Sequence, residues 1–340
     1  MALGTIDTNQ IASDAVTVPK VTDQVLASPN LIINGAMEIF QRSSSVASVS
    51  DNTYVVQDRM NFFSSNDGVI SVFSSSEHPT GAGFSKSLKV DVTTADTSIA
   101  AGQYLAINQR IEGYNHARLE YGTATARTIV VSFYAKSNLT GPFCYSVKNG
   151  TSDRSFPIEF SLSAANTWER ISFVISGDTS GTWLETNGIG AYHQISLAMG
   201  STYQGTNNTW QAGNKVATSN QVNLLSSTSN EFFLTGWQVE VGTASPTAYQ
   251  HEDYSTTLRK CQRYYETLPQ HTGGFSVIAT YRAGSDYRQE WMFKVTKRAN
   301  PTAGGSQSAG PTATYISPDM ISYYHTADFY GGALTANAEL

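Results

Sequence analysis

The stretch TIVVSFYAKSNLTGPFCYSVKNG, residues 128–150, shows the pattern that decides the fold. Apolar and β-branched residues fill positions 128–136, and apolar and polar residues alternate from 143 to 148, which is the two-residue period of a strand. Asn149-Gly150 then forms a strong turn signal, because glycine adopts positive φ without steric cost. The stretch therefore predicts two strands, Thr128–Lys136 and Phe143–Lys148, followed by a tight turn.

The same pattern extends in both directions, from Asn30 to about Tyr249. Short alternating or apolar runs are separated there by clusters of Gly, Asn, Asp and Ser. The further predicted strands are Leu31–Ile33, Val69–Ser74, Ser87–Val92, Tyr104–Ile111, Glu169–Ser176, Gln194–Met199 and Phe232–Val241. This many short strands favours an all-β, two-sheet antiparallel sandwich, which protects its edges better than one open sheet.

Composition and charge exclude several classes of protein. Charged residues make up only 14% of the 340 residues, the formal charge is −6, and no cluster of Lys and Arg occurs. Nucleic acid is therefore not expected as a partner, because phosphate binding needs such clusters. No apolar run is long enough for a membrane span, and the N-terminus lacks a secretory signal pattern, so no membrane insertion is expected.

Residues 1–29 have an unusual spacing. Ile6, Ile11, Val16 and Val21 recur every five residues, a period that neither a helix nor a strand has. Because so few apolar groups make no core of their own, the row is expected to pack against identical copies or a partner's groove. We predict a stem that serves oligomerisation and attachment; the alternative is a disordered tail.

The C-terminal third divides into a helix and a second β region. Ser255–Leu268 has helical spacing, with Ser255 as a candidate N-cap, and Phe275–Arg282 and Arg288–Thr296 have the pattern of strands. We therefore expect a stem over 1–29, a sandwich over 30–252, a short connecting helix over 253–268 and a small β-tip domain over 269–340.

Several sequence motifs resemble those of one family. They are NLIINGAMEIFQR (30–42), DRM (58–60), TGWQVEVG (235–242), YQHEDY (249–254), CQRYYE (261–266), MFKVTKRANPT (292–302) and IASDAVTVPK (11–20). Together these motifs resemble tailed-bacteriophage tail-fibre and related virion proteins, whose central domain is similar to the jelly rolls of carbohydrate-binding modules. The resemblance implies that the predicted sandwich is a jelly roll.

The resemblance also implies a function and a set of partners. It implies a virion protein that is assembled in the host cytoplasm as a homo-oligomer, with a trimer expected. The stem is expected to bind other tail or head proteins. The expected function is that of a tail fibre that attaches the particle to a glycan or protein of the host surface. The alternatives are a head-bound fibre or decoration protein and, less favoured, a glycan-cleaving tailspike.

No catalytic constellation is evident in the sequence, so no enzyme is predicted. A glycan-binding hypothesis falls on aromatic residues in a polar, glycine-rich part of the sequence, whose rings can stack on a sugar: Trp183, Tyr192, His193, Tyr203 and Trp210. The alternative is that these aromatic residues belong to the core or to a subunit contact.

Two further hypotheses concern a metal and the tip. The resemblance to carbohydrate-binding jelly rolls suggests a structural calcium at Glu38 and Glu240, against the alternative that Glu38 hydrogen-bonds to a turn. No other cofactor is expected. For host contact we single out Tyr323, Tyr324 and Tyr330, because tyrosine combines an apolar face with a polar group. The alternative is that these tyrosines fill a trimer axis.

Overall fold

The computed structural model describes residues 30–242, 245–268, 279–283, 286–305, 312–325 and 333–340. The predicted stem, with Ile6, Ile11, Val16 and Val21, and the predicted contact residue Tyr330 lie outside these residues. The stem and the part of the tip hypothesis that rests on Tyr330 therefore stay predictions.

The first part of the described chain forms two antiparallel sheets. Its elements are β1 (Ser45–Val46), β2 (Thr53–Tyr54), β3 (Asn61–Ser65), β4 (Val69–Ser75), β5 (Ser87–Thr94), β6 (Tyr104–Glu112), α1 (Gly113–His116), β7 (Ile129–Ser137), β8 (Gly141–Asn149), β9 (Arg154–Leu162), β10 (Glu169–Ile175), β11 (Ile189–Met199), β12 (Gln211–Ala212) and β13 (Glu231–Val241). Sheet A has the order β1-β4-β5-β13-β7-β10, and sheet B has the order β12-β9-β8-β11-β6-β3-β2.

The strand order identifies the sandwich as a jelly roll. Eight of the strands form nested antiparallel pairs, namely β5 with β13, β6 with β11, β7 with β10 and β8 with β9. The first and third pairs lie in sheet A and the other two in sheet B, so that a long folded ribbon winds around one core. The predicted all-β jelly-roll sandwich is thus confirmed.

Alternation along the strands places the core between the sheets. In β8, Phe143, Tyr145 and Val147 belong to the main hydrophobic cluster, so Cys144 and Lys148 point to the opposite face of sheet B.

The turn predicted after β8 is present, but its glycine is not required by a positive φ. A Cβ on Gly150 would lie only 2.3 Å from the Ile189 carbonyl oxygen, so the close approach of this main chain requires the glycine.

Most predicted strands of the jelly roll are present, but one of them forms a turn and five further strands, β1, β2, β3, β9 and β12, were not predicted. Leu31–Ile33 forms a turn, because Asn30 Oδ1 accepts hydrogen bonds from Ile32 and Val239 and holds the chain against β13. Pro157 interrupts the β9 pattern, but β9 pairs with β12 only at residues 154–155, so the missing N–H of Pro157 breaks no ladder bond there.

The connecting helix is shorter than the predicted 255–268. Helix α2 (Tyr254–Gln262) is capped by Asp253, whose side chain accepts a hydrogen bond from the Ser255 N–H, so the cap is not Ser255. After two further residues the chain becomes a strand, β14 (Tyr265–Leu268). That strand pairs with residues 334–337. Because this pairing needs an extended backbone, the helix ends before Tyr265.

The remaining strands form two small sheets. They are β15 (Ala279–Ala283), β16 (Asp286–Met292), β17 (Thr302–Gly305), β18 (Thr312–Ile316), β19 (Met320–His325) and β20 (Leu334–Asn337). Sheet C has the order β14-β20-β17, and sheet D has the order β15-β16-β19-β18. Their shared core contains Trp291, Ile321, Tyr323 and Leu334. Strand β16 ends at Met292, four residues before the predicted end.

The motifs that carry the family resemblance meet where the jelly roll contacts these sheets. Buried Arg59 forms an ion pair with Glu339, and its guanidinium lies 3.5 Å from the centre of the Tyr264 ring. Arg263 binds Glu112 through two hydrogen bonds of 2.6 and 2.9 Å. Such buried pairs tolerate the loss of neither partner, because the remaining charge is left desolvated. These motifs are therefore framework residues of the junction.

Candidate functional site

The outer surface of sheet B, called the B face here, carries polar side chains that are almost fully buried. Three of them, Asn108 on β6, Gln194 on β11 and Ser146 on β8, are direct cross-strand neighbours. Their exposed fractions are 0%, 1% and 0%. In the next row, Arg110, Tyr192 and Lys148 occupy the same three strands in the same order.

A loop over residues 200–218 covers one end of the B face. The Ser196 hydroxyl donates a hydrogen bond of 2.8 Å to the Val216 carbonyl, and Thr218 Oγ1 lies 3.7 Å from Cys144 Sγ. Beside this loop a pocket of about 120 Å³ remains open. It is lined by Phe63, Tyr104, Lys148, Gln194, Met199, Tyr203, Asn214 and Val216.

Three aromatic rings, Phe63, Tyr104 and Tyr203, line this pocket, and the Tyr192 ring lies beside Phe63. The centres of the Phe63 and Tyr192 rings are 6.1 Å apart, those of Phe63 and Tyr104 are 6.4 Å apart, and those of Tyr104 and Tyr203 are 5.3 Å apart. All four side chains are partly exposed. They form a continuous half-open aromatic rim that a flat apolar surface can contact.

The row beneath the rim contains polar atoms without a partner. Asn108 Oδ1, Gln194 Oε1 and Ser146 Oγ accept or donate no hydrogen bond within the described part of the chain. The Gln194 amide nitrogen, by contrast, donates to Ser196 Oγ at 3.0 Å and is thereby held in place. An unpaired buried polar group costs about 1–3 kcal/mol, so a ligand hydroxyl that donates to Gln194 Oε1, which belongs to the one residue of the three that lines the pocket, recovers that cost.

Two cations flank Tyr192 on the same face. Lys148 Nζ lies 4.6 Å from the centre of the Tyr192 ring and 5.3 Å from that of Phe63, and it donates a 3.0 Å hydrogen bond to Asn214 Oδ1. Burial, with a smaller effect of the Arg110 charge, lowers the pKa of Lys148 to about 8. Lys148 is therefore still mostly protonated at neutral pH.

Arg110 is held more firmly than Lys148. Its guanidinium donates to the main-chain oxygen of Leu340 and to Asn52 Oδ1, and lies 5.5 Å from the Tyr192 ring centre. Among the described residues, no carboxylate forms an ion pair with Lys148. The B face thus combines aromatic rings, free acceptors and two cations.

The five aromatic residues predicted from the sequence do not form one platform. Trp183 is only 7% exposed and stacks on His116 at 5.0 Å, so it lies in the core and offers no ring face to a sugar. His193 is also buried. Trp210 is half-buried, contacts Trp183 at 5.6 Å and donates its indole N–H to the Ser176 carbonyl. Tyr192 and Tyr203 are the two that lie at the B face.

The predicted tip tyrosines also differ in their environments. Tyr323 is 3% exposed in the core of sheets C and D, and burial raises its pKa to about 12. Its ring is therefore unavailable for host contact, in keeping with a structural role. Tyr324, its neighbour on β19, is half-buried and is paired in register with Arg288.

The two carboxylates suggested for calcium have protein partners. Glu240 accepts hydrogen bonds from the Thr247 N–H and hydroxyl, both at 2.8 Å, and Glu38 accepts one from Ser85 at 3.3 Å. Within the described residues, no three His, Cys, Asp or Glu side chains are grouped so as to hold a metal ion. The calcium hypothesis stays a prediction from the resemblance.

Most residues of the B face were not predicted from the sequence as site residues. Lys148, Gln194 and Ser146 lie in strands that were predicted, but as outward polar residues they gave no reason to be singled out. Their importance comes from the loop over 200–218, which buries them, and no local pattern predicts where a long loop will fold back.

Comparisons with known proteins find resemblances of structure but none of sequence family. No protein-family model and no curated protein matches the chain. The chain is similar to the enzymatically active domain of tailspike protein 4 of bacteriophage CBA120, at 12% identity and a TM-score of 0.31, over 62% of this chain and 21% of that chain. This chain thus spans about a fifth of the tailspike chain.

Two carbohydrate-binding modules are similar at the same level. A structure described as CBM4 matches at 13% identity and a TM-score of 0.32, over 62% of this chain and 98% of that one. The family 11 carbohydrate-binding module of a Clostridium thermocellum cellulase matches at 13% identity and a TM-score of 0.30, over 60% and 99%. By its own strand order and its B face, the protein is a jelly-roll protein with an aromatic-rimmed polar pocket. No helix in the described part is long and apolar enough to cross a membrane.

Proposed function

We propose that this chain is a virion protein of a tailed bacteriophage, a tail fibre whose jelly roll binds a glycan of the bacterial surface at the B face. The family-like motifs support the virion assignment, and the B face supports the ligand class. In this proposal the stem binds the particle, the chain forms a homotrimer, and the jelly roll faces the host.

The observation that carries the ligand class is the pairing of an aromatic rim with unpartnered buried acceptors. A pyranose ring has flat C–H faces that pack on aromatic rings and hydroxyls at its edge that donate hydrogen bonds. Phe63 in the pocket and Tyr192 beside it supply the first kind of contact, and Gln194 supplies the second. At about 120 Å³ the pocket is smaller than the roughly 300–1,000 Å³ of sites that enclose a drug-sized ligand. It fits one sugar unit of a longer chain better than a whole oligosaccharide.

The lining favours binding over cleavage. Glycoside hydrolysis normally uses a pair of carboxylates on either side of the scissile bond. The pocket on the B face has no Asp or Glu among its described lining residues. We therefore propose a binding protein rather than a tailspike enzyme.

The experiment is a binding assay with surface glycans of the host. The purified protein is titrated with capsular and lipopolysaccharide fractions by calorimetry, together with Tyr192→Ala and the matched control Trp168→Ala. Trp168 is a partly exposed ring near Lys136 and Phe233 of sheet A. The loss of one stacking ring is worth about tenfold in affinity or more. Tyr192→Ala should lose this factor, while Trp168→Ala should bind as the parent does.

Failure of every fraction to bind, or equal loss in both variants, would contradict the proposal. Labelling of particles with antibody against the chain tests its place in the virion. Label at the tail supports the tail fibre, whereas label on the head supports the head-bound fibre or decoration protein.

A further inference from the structure

We propose that the pocket on the B face recognises an acidic saccharide, with Lys148 as the ligand of its anionic substituent. The inference rests on the proposed function, because it names the class of glycan that the same site takes.

The first step is the unusual position of Lys148. Away from the B face, buried cations such as Arg59 and Lys297 have carboxylate partners, namely Glu339 and Glu266. Lys148 is only 5% exposed and its one hydrogen bond goes to a neutral amide, that of Asn214. A desolvated charge without a counter-charge is costly, so a site that keeps one is built for an anion that arrives from outside.

The second step is the proximity of a second cation. Arg110 and Lys148 are the two cross-strand neighbours of Tyr192, and both guanidinium and ammonium lie within 5.5 Å of its ring centre. Neither has a carboxylate partner among the described side chains. The Arg110 charge disfavours the charge of Lys148, and an anion placed beside Tyr192 would relieve that repulsion.

The third step separates an acidic sugar from other anions. The same pocket is lined by Gln194, whose Oε1 accepts no hydrogen bond, and by the rings of Phe63, Tyr104 and Tyr203. A free phosphate or sulfate would leave the acceptor unpaired and the rings uncovered. An acidic sugar satisfies all three features with its acid group, its hydroxyls and its ring face. The net charge of −6 also disfavours long polyanions such as nucleic acid.

The test compares acidic oligosaccharides with neutral forms of the same sugars. Galacturonate, glucuronate and sialic acid oligosaccharides are titrated by calorimetry beside their methyl esters, and sulfated galactose oligosaccharides beside galactose oligosaccharides. Inorganic sulfate and acetate form a third arm. We expect at least one acid to bind about tenfold or more tightly than its neutral form, because charge-assisted hydrogen bonds are the stronger ones.

Variants assign that preference to Lys148. Lys148→Met should lose the preference while its affinity for the neutral form stays within about twofold, and it should fold because it removes a buried unpaired charge. Lys136→Met is the matched control, the same change at a buried lysine of sheet A that binds Glu77, and it should keep the preference.

The outcomes separate this inference from the proposed function. If neutral forms bind as well as acids, or if Lys148→Met keeps the preference, the acidic-saccharide inference is overturned while glycan binding stands. If inorganic sulfate or acetate binds as tightly as the acidic sugars, the pocket is a general anion site and the inference is also overturned. If no saccharide of either kind binds, both proposals are lost.

Discussion

Each outer face of the sandwich carries a lysine over aromatic rings. Among the described residues, the lysine of sheet A has a carboxylate partner and the lysine of sheet B has none. On sheet A, Lys136 Nζ lies 4.1 Å from the Phe233 ring centre and forms an ion pair with Glu77. On sheet B, Lys148 lies 4.6 Å from the Tyr192 ring centre and has only the amide of Asn214 as a hydrogen-bond partner. A lysine over rings is therefore no sign of a ligand by itself; what marks the B face is the missing carboxylate.

The same contrast extends to the neighbouring charges. On sheet A, Lys89 pairs with Glu231 at 2.7 Å and with Asp91 at 3.4 Å, so that face is electrically balanced. On sheet B the neighbour of Lys148 is Arg110, a second cation. Ion pairs at the surface contribute little to stability. A buried cation without a counter-charge destabilises the fold, so it persists only where another interaction offsets that cost.

The largest expected effect is on stability. Lys148→Met should raise the free energy of unfolding by about 3 kcal/mol at pH 7, because burial lowers the pKa of Lys148 from 10.5 to about 8 and each pKa unit corresponds to about 1.4 kcal/mol. The measurement is urea unfolding of both proteins. Lys136→Met should instead lower stability by at most about 1 kcal/mol. Destabilisation by Lys148→Met would show that the lysine is a structural residue.

The second-largest effect is expected when a carboxylate is introduced at the B face. Gln194→Glu places a carboxylate in the pocket that Lys148 lines, which copies the arrangement of sheet A. Affinity for an acidic oligosaccharide should fall by about a hundredfold, because the lysine gains an internal partner and the new charge repels the ligand.

The control for this variant is Gln194→Met. It removes the hydrogen-bonding amide without adding charge, so both the acidic and the neutral form should lose affinity by a similar, smaller factor. Equal loss of acid binding in the Glu and Met variants would argue against an electrostatic role for the pocket.

The pH dependence of stability should differ between the faces. The folded-state pKa of Lys148, about 8, lies below the unfolded value, so the unfolded chain binds more protons between pH 8 and 10.5. In that window the parent should gain up to about 1.4 kcal/mol per pH unit relative to Lys148→Met. The charged and titratable groups around Lys148 are Arg110, Tyr192, Tyr104 and Tyr203. Unfolding curves between pH 7 and 10 measure the difference, and parallel curves would contradict the buried charge.

The smallest effect is expected on sheet A. Glu77→Gln removes the partner of Lys136, but the Glu77 side chain is 57% exposed, so water replaces much of the interaction. Stability should change by no more than about 1 kcal/mol, and saccharide binding should not change. Loss of saccharide binding in this variant would mean that the ligand lies on sheet A.

Local pattern predicted the framework of this protein but not its site. The alternation in 143–148 depends on neighbouring residues alone, so β8 was predicted correctly, with two further residues at its start and one at its end. The helix over 255–268 was predicted too long because Tyr265–Leu268 pairs with β20, almost seventy residues away. A pairing between distant segments leaves no trace in local spacing.

The site depends on distant segments even more strongly. Lys148 is an ordinary outward lysine until the loop over 200–218 and the strands β3 and β11 surround it. Trp183 is the opposite case: the sequence left open whether its ring meets a sugar or lies in the core, and His116, Tyr121 and Trp210 enclose it in the core. Burial in both cases is set by tertiary packing, which residue type does not predict.

The most direct test of the B face is the titration of Lys148 itself. The carbon-13 shift of its Cε, measured by NMR, gives the pKa of the ammonium group with and without a saturating acidic oligosaccharide. An anion at the lysine stabilises the charged form, so the pKa should rise from about 8 by one unit or more when the ligand is bound. An unchanged pKa in the saturated complex would contradict the assignment of Lys148 as the ligand of the acid group.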